Sequence, residues 1–124
     1  MGEYAEERGR QAAAVRIAAV CHEANRILTG ILKDVPLQPH WEECPEEMKK
    51  SSIAGVLFML ENPEATPEQS HEDWCTKKIA DGWAYGPEKD VRLKTHPALR
   101  PYAELSDGVH AKDEMFRLII KAMS

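Results

Sequence analysis

Cysteine, long apolar runs and net positive charge are all scarce in this 124-residue sequence, and each shortage closes a class of function. The three cysteines, Cys21, Cys44 and Cys75, are odd in number and form no CxxC pair. That argues against a disulfide scaffold and for reduced thiols in a cytoplasm. Cys21-His22 and Cys75 offer metal-ligand chemistry in principle, but no second close pair completes a site, so neither a metal nor a cofactor is expected. No apolar run approaches the ~20 residues that span a bilayer, so no membrane partner is expected. The N-terminus, MGEYAEERGRQ, is polar and acidic, unlike a signal peptide. With a net charge of −5, a role on long nucleic acid is disfavoured, because backbone binding needs a basic surface. Familiar catalytic signatures are missing too: there is no Ser-His-Asp order, P-loop, GxGxxG or HExxH. Glu23, Glu61, Glu72 and Asp113 could supply acid–base chemistry, yet no spacing singles out a pair. A non-enzymatic protein is therefore expected.

The length fits one domain, and the 43% hydrophobic content is that of an ordinary globular chain. The spacing predicts a mostly α, compact helical domain of four helices, with a long ordered loop between the last two. The first helix runs from about Tyr4 to Leu32, with Ala13, Ile17, Val20, Ala24, Ile27 and Ile31 as its apolar stripe. Asp34-Val35-Pro36 ends it, and its first ten residues are expected to fray. In the linker to Cys44, Trp41 is expected to anchor the chain to the body. The second helix starts near Pro45, buries Ile53, Val56, Leu57 and Leu60, and stops at Asn62-Pro63. Thr66-Pro67-Glu68-Gln69 is a capping box that opens the third, which places His71, Trp74, Cys75 and Lys78 on one face and ends at Gly82. The last helix, from about Asp107 or Val109 to Ala122, carries Met115, Phe116, Ile119, Ile120 and Met123 on its apolar side. Residues 1–65 form an N-terminal helical portion and 66–124 a second portion, together one domain.

Between the last two helices lies WAYGPEKDVRLKTHPALRP, residues 83–101, with short strands at most. A connection this long in a small domain is functional or packed by its own aromatics. Trp83 and Tyr85 are expected to do that packing. Lys89, Lys94 and His96 share this segment, with Lys78 on the helix before it. Such a group attracts phosphate through charge-assisted hydrogen bonds, or else is a solvated basic loop balanced by Asp81 and Asp90. His22, Asn25, Arg26 and Thr29 share one polar face of the first helix, where they either line a pocket or form exposed surface with Glu23 pairing Arg26 or Arg16.

His71-Glu72-Asp73-Trp74, Gly82-Trp83-Ala84-Tyr85-Gly86-Pro87, Lys89-Asp90, Lys94-Thr95-His96-Pro97 and Pro101-Tyr102 occur in an order that resembles the ryanodine-receptor repeat domain. Leu105 and the final helix with Lys112-Asp113 continue the likeness, and the N-terminal half looks like the extra part of short, stand-alone phage and bacterial members. The resemblance implies a mainly helical cytoplasmic module that binds an adenine nucleotide, with contacts at Trp74, Lys89 and His96. It also implies a departure: the channel modules pair two repeats, whereas this chain carries one. A complete site then needs a homo-oligomer, or the first helix as its second wall. The expected ligand set is Trp74, Lys89, His96, His71, Lys78, His22, Asn25 and Arg26, with His96 gaining charge below about pH 6.5. The expected function is binding or sequestration of a nucleotide-derived signal, a cyclic nucleotide or an ADP-ribose-like compound, by a phage protein countering host defence. A hydrolase of that signal, using His71 or His96, and a ligand-free oligomerisation module are the alternatives.

Overall fold

The computed structural model describes residues 2–32 and 38–124, so the helix stop expected at Asp34-Val35-Pro36 lies outside the described residues. The chain is mostly helical: α1 (Gly2–Leu32), α2 (Glu46–Glu61), α3 (Pro67–Ala80) and α4 (Asp107–Met123), with short 3-10 turns at Trp41–Glu43 and Tyr102–Glu104. Two-residue strands, β1 (Ala84–Tyr85) and β2 (Thr95–His96), pair in parallel inside the long segment between α3 and α4.

The core forms where α1, α2 and α4 meet, around Ala14, Ile17, Ala18, Cys21, Val56 and Ile120. On α1 these buried residues recur at steps of three and four, which is one helical face. Most are small, so the neighbouring helices approach closely, and Ile17 fills the space between them. This corrects the expected stripe. Val20, Ile27 and Ile31 are exposed, Ile31 at 70%, and of the large residues in that stripe only Ile17 is buried. Apolar residues occupy two adjacent faces of α1, so periodicity establishes a helix without deciding which face turns inward. The first ten positions described, Gly2–Gln11, are helical and wholly exposed.

The other helices begin and end for local reasons. Thr66 Oγ1 accepts from the Gln69 amide at 3.1 Å, and Gln69 Oε1 accepts from the Thr66 amide at 2.9 Å, completing the capping box. At the far end of α3 the Trp83 amide donates to the Lys78 carbonyl at 2.9 Å and that of Gly82 to Ile79 at 3.0 Å, a Schellman closure. It needs the left-handed conformation that Gly82 adopts at φ +91°. Ser106 caps α4 by accepting from the Val109 amide. Ile53, Leu57 and Leu60 of α2 pack on the core together with Phe116 and Ile119 of α4 and the linker Trp41.

The segment from 83 to 101 is ordered by its own bonds. The Ala84 amide donates to the Lys94 carbonyl at 2.9 Å, and Asp90 and Thr95 exchange two backbone bonds of 3.0 Å. Inside that turn Asp90 Oδ1 accepts from the Arg92 and Leu93 amides. Gly86 lies so close to β2 that an added Cβ would meet the Thr95 Cβ at 2.6 Å. Trp83 is buried at 8% exposure, as expected for a packing residue, whereas Tyr85 is 52% exposed under the Arg100 guanidinium. Neighbouring strand positions point to opposite faces, and Ala84 and Tyr85 are both exposed, so the packing of this loop falls to Trp83 and the buried Leu99.

Candidate functional site

A cavity of about 400 Å³ opens between all four helices and the 83–101 segment. From α3 it receives His71, Trp74 and Lys78, which share a face because they are three and four residues apart. The loop contributes Trp83, Lys89 and His96; α1 contributes Cys21, His22 and Asn25. Val56 of α2 and Asp113, Phe116 and Arg117 of α4 complete the wall. Seven of the eight residues expected from sequence therefore border one space.

Arg26 is the eighth, and it does not border the cavity. Its Nε donates to the Gln38 carbonyl at 3.1 Å, and its guanidinium lies 3.1 Å from His40 Nε2 and 3.9 Å from Glu23. Glu23 also accepts from the Trp41 amide at 2.7 Å, which holds its carboxyl below the usual range with help from His40 and Arg26. These contacts bind residues 38–41 to α1. His22 serves both purposes: its Nε2 lies 2.7 Å from the Pro39 carbonyl, so it donates there, while the ring borders the cavity.

Three rings make the middle of the wall. His71 stacks beside Trp74 at 5.6 Å, and His96 meets Trp74 edge-on at 5.0 Å. His71 Nε2 donates to the Arg100 carbonyl at 2.8 Å, so its position is set by the backbone. His96 Nδ1 accepts from the Ala98 amide at 3.0 Å, which leaves Nε2 as the proton-bearing nitrogen of the neutral ring. Burial, then Lys89, Lys78 and His71, hold the His96 pKa down at about 4. The expected gain of charge below about pH 6.5 is thereby corrected: His96 is a neutral imidazole well into the acid range.

The cations divide into two kinds. Lys94 is neutralised locally, with Nζ 2.8 Å from the Asp81 carbonyl and 3.8 Å from its carboxylate. Lys78 lies over the Trp83 ring at 4.5 Å and forms no ion pair among the described residues. Lys89 forms none either. It is exposed as a whole residue, yet protein atoms crowd its ammonium, and desolvation followed by Lys78 repulsion lowers its pKa. Desolvation likewise lowers Lys78, partly offset by Asp81 and Glu47. Both lysines border the cavity, and an ammonium without a carboxylate partner has the chemistry to pair with an anion.

Asp113 and Arg117 were not among the expected ligand residues. Their i,i+4 spacing reads as an ordinary surface ion pair, but no such pair forms between them among the described residues. Burial raises the Asp113 pKa against the pull of His71 and His110. The thiols are not activated: burial pushes Cys21 up to about 11 and raises Cys44 and Cys75.

A mostly helical domain with one aromatic-walled, partly cationic cavity is the class that fold and geometry define. Residues 44–124 match the RyR domain, which is more than half of the chain, and the protein belongs to that family. The matched stretch begins at Cys44 and includes α2, α3, the long segment and α4. Among the described residues no helix is long and apolar enough to cross a membrane.

Proposed function

We propose that this protein binds a small nucleotide-derived anion in the cavity between its helices and releases it unchanged. The observation that carries this reading is the convergence of Trp74, His96, Lys78 and Lys89 on one space of about 400 Å³, where the two lysines form no ion pair among the described residues. That size falls in the range of roughly 300–1,000 Å³ typical of small-molecule sites. Base stacking on an aromatic face contributes about 1–3 kcal/mol, and the two ammonium groups supply the charge partners for phosphate. Binding is favoured over hydrolysis at His96 and Cys21. His96 is too weak a base at a pKa of about 4 for work near neutral pH, and the Cys21 thiol is protonated at about 11. Sequestration of a signal molecule, in the cytoplasm of a phage-infected host, is the biological form of this proposal and rests on the family resemblance. Homo-oligomerisation is the companion proposal, supported by the exposed Val20, Ile27 and Ile31 on one side of α1.

The test is calorimetric titration with ADP, GDP, ADP-ribose and cyclic AMP, with mass spectrometry of molecules captured from a nucleotide-rich cell extract and released by heat. The expected result is saturable binding and recovery of the ligand intact. Trp74→Ala should weaken binding with little change in its salt dependence. Lys89→Ala should weaken binding and flatten that dependence, because one screened charge contact is lost. Recovery of a cleaved ligand would establish the hydrolase instead.

A further inference from the structure

A second, smaller space adjoins the cavity. It is a groove of about 190 Å³ between α2 and α3. Glu47, Ser51 and Gly55 of α2 and Trp74 and Lys78 of α3 border the groove and the cavity alike, so the two spaces meet along these residues. Beyond that junction the groove is bordered by the small Ala54 and by Lys50, Asp73, Lys77 and Asp81.

Gly55 marks the junction. It stands in the interior of α2, where glycine is among the poorest helix formers. Its backbone is not in the left-handed region, and a Cβ added there would meet no atom within 4 Å. Neither backbone geometry nor packing therefore calls for glycine. A larger side chain would enter the space where cavity and groove meet.

Lys78 borders both spaces and forms no ion pair among the described residues. A phosphate paired with it sits at the junction, with room on either side. On the cavity side the Trp74 ring, flanked by His71 and His96, takes the base. The groove side is no second anion site, because its bordering charges balance. Glu47, Asp73 and Asp81 stand against Lys50, Lys77 and Lys78, and Lys77 already pairs with Asp73 at 2.8 Å. Acceptors and donors side by side suit a neutral group rich in hydroxyls, each of which both donates and accepts.

We propose that the groove is a second subsite, and that the ligand is a nucleotide whose phosphate carries a further neutral, hydroxyl-bearing group of the size of a sugar. This rests on the proposed nucleotide site and adds the class of ligand: a phosphate ester substituted on both sides, not one that ends in phosphate. The cavity takes the base, Lys78 the phosphate and the groove the second group.

The experiment titrates ADP, ADP-ribose and ADP-glucose into wild type, Ala54→Leu and Gly55→Leu, and melts each protein without ligand. ADP ends in phosphate; the other two add a neutral sugar to it. The tighter of the two sugar-bearing ligands should bind wild type about tenfold better than ADP, the gain from one or two net hydrogen bonds. Ala54 borders the groove and not the cavity. Ala54→Leu should therefore cut that advantage to about twofold or less, with ADP affinity itself changed by no more than about twofold. Gly55→Leu fills open space and replaces a poor helix former, so it should melt at or above wild type and lose the same advantage. It decides the matter if Ala54→Leu fails to fold. Equal affinity of wild type for ADP and both sugar-bearing ligands overturns the subsite and leaves the nucleotide site standing. An advantage undiminished in the folded variants overturns it as well. If wild type binds none of the three, the inference falls, and titration with GDP and cyclic AMP shows whether the nucleotide site falls with it.

Discussion

The helical core and the 83–101 segment are stabilised by different means, and the cavity lies between them. In the core, Ala14, Ile17, Ala18 and Cys21 let α1 approach its neighbours, and the gain is apolar contact at short range. The segment has almost no regular structure. It is held by the buried Trp83 and Leu99, a pair of two-residue strands and the bonds within the Asp90–Thr95 turn. Close-packed helices make a rigid wall, while an irregular segment can bring Lys89 and His96 over that wall without needing a buried face of its own. Order in this domain does not track secondary structure: the nearly strandless 83–101 segment is bonded and packed like the helices around it.

Several substitutions would sharpen or break that contrast. The largest effect is expected at Trp83. Trp83→Ala should cost about 3–5 kcal/mol, comparable with the 2–5 kcal/mol expected for Ile17→Ala in the core. Thermal or urea melts decide it; a Trp83 variant melting within a degree or two of wild type would show that the segment is not packed as a core. Next comes Gly86→Ala, which forces a methyl against Thr95 and should cost about 1–3 kcal/mol as overpacking. An unchanged melting temperature there would mean that the strand pair parts freely.

The pH dependence distinguishes the two regions without altering a contact. The folded state holds His96 at about 4 against an ordinary 6.5, so the unfolded chain binds more protons between these values. Stability from this residue is complete above about pH 6.5 and is lost progressively as the pH falls to about 4. Asp113 has the opposite sign: its raised pKa means that its burial costs most once it ionises, at higher pH. Melting curves of wild type and His96→Gln across that range should converge toward acid pH. Parallel curves would show that His96 is not desolvated. The smallest effect is expected at Lys89, where Lys89→Ala should leave stability within about 0.5 kcal/mol while changing ligand binding. A large loss of stability would make Lys89 a structural residue.

Much of this could be read from the chain. The capping box at Thr66, the stop at Gly82, the packing role of Trp83 and the grouping of His71, Trp74 and Lys78 on one face follow from short-range spacing. Backbone hydrogen bonds and helical period act over a few residues, so local sequence determines them. Lys89 and His96 were legible as site candidates through their motif, and His22 and Asn25 through their shared polar face on α1.

Other features depended on distant contacts. Which side of α1 faces inward was decided by the crossing of α2 and α4 over its small residues, since both sides carry apolar side chains. Arg26 and Asn25 are adjacent polar residues on the same helix. The linker places Gln38 and His40 within reach of Arg26, while Asn25 borders the cavity with an unpaired oxygen. Lys94 and Lys89 sit in the same basic loop, and only the fold brings Asp81 to one and leaves the other without an ion pair among the described residues. The lowered pKa of His96 and the raised pKa of Asp113 have the same origin. Desolvation is a property of everything packed around a group, and no spacing along the chain records it.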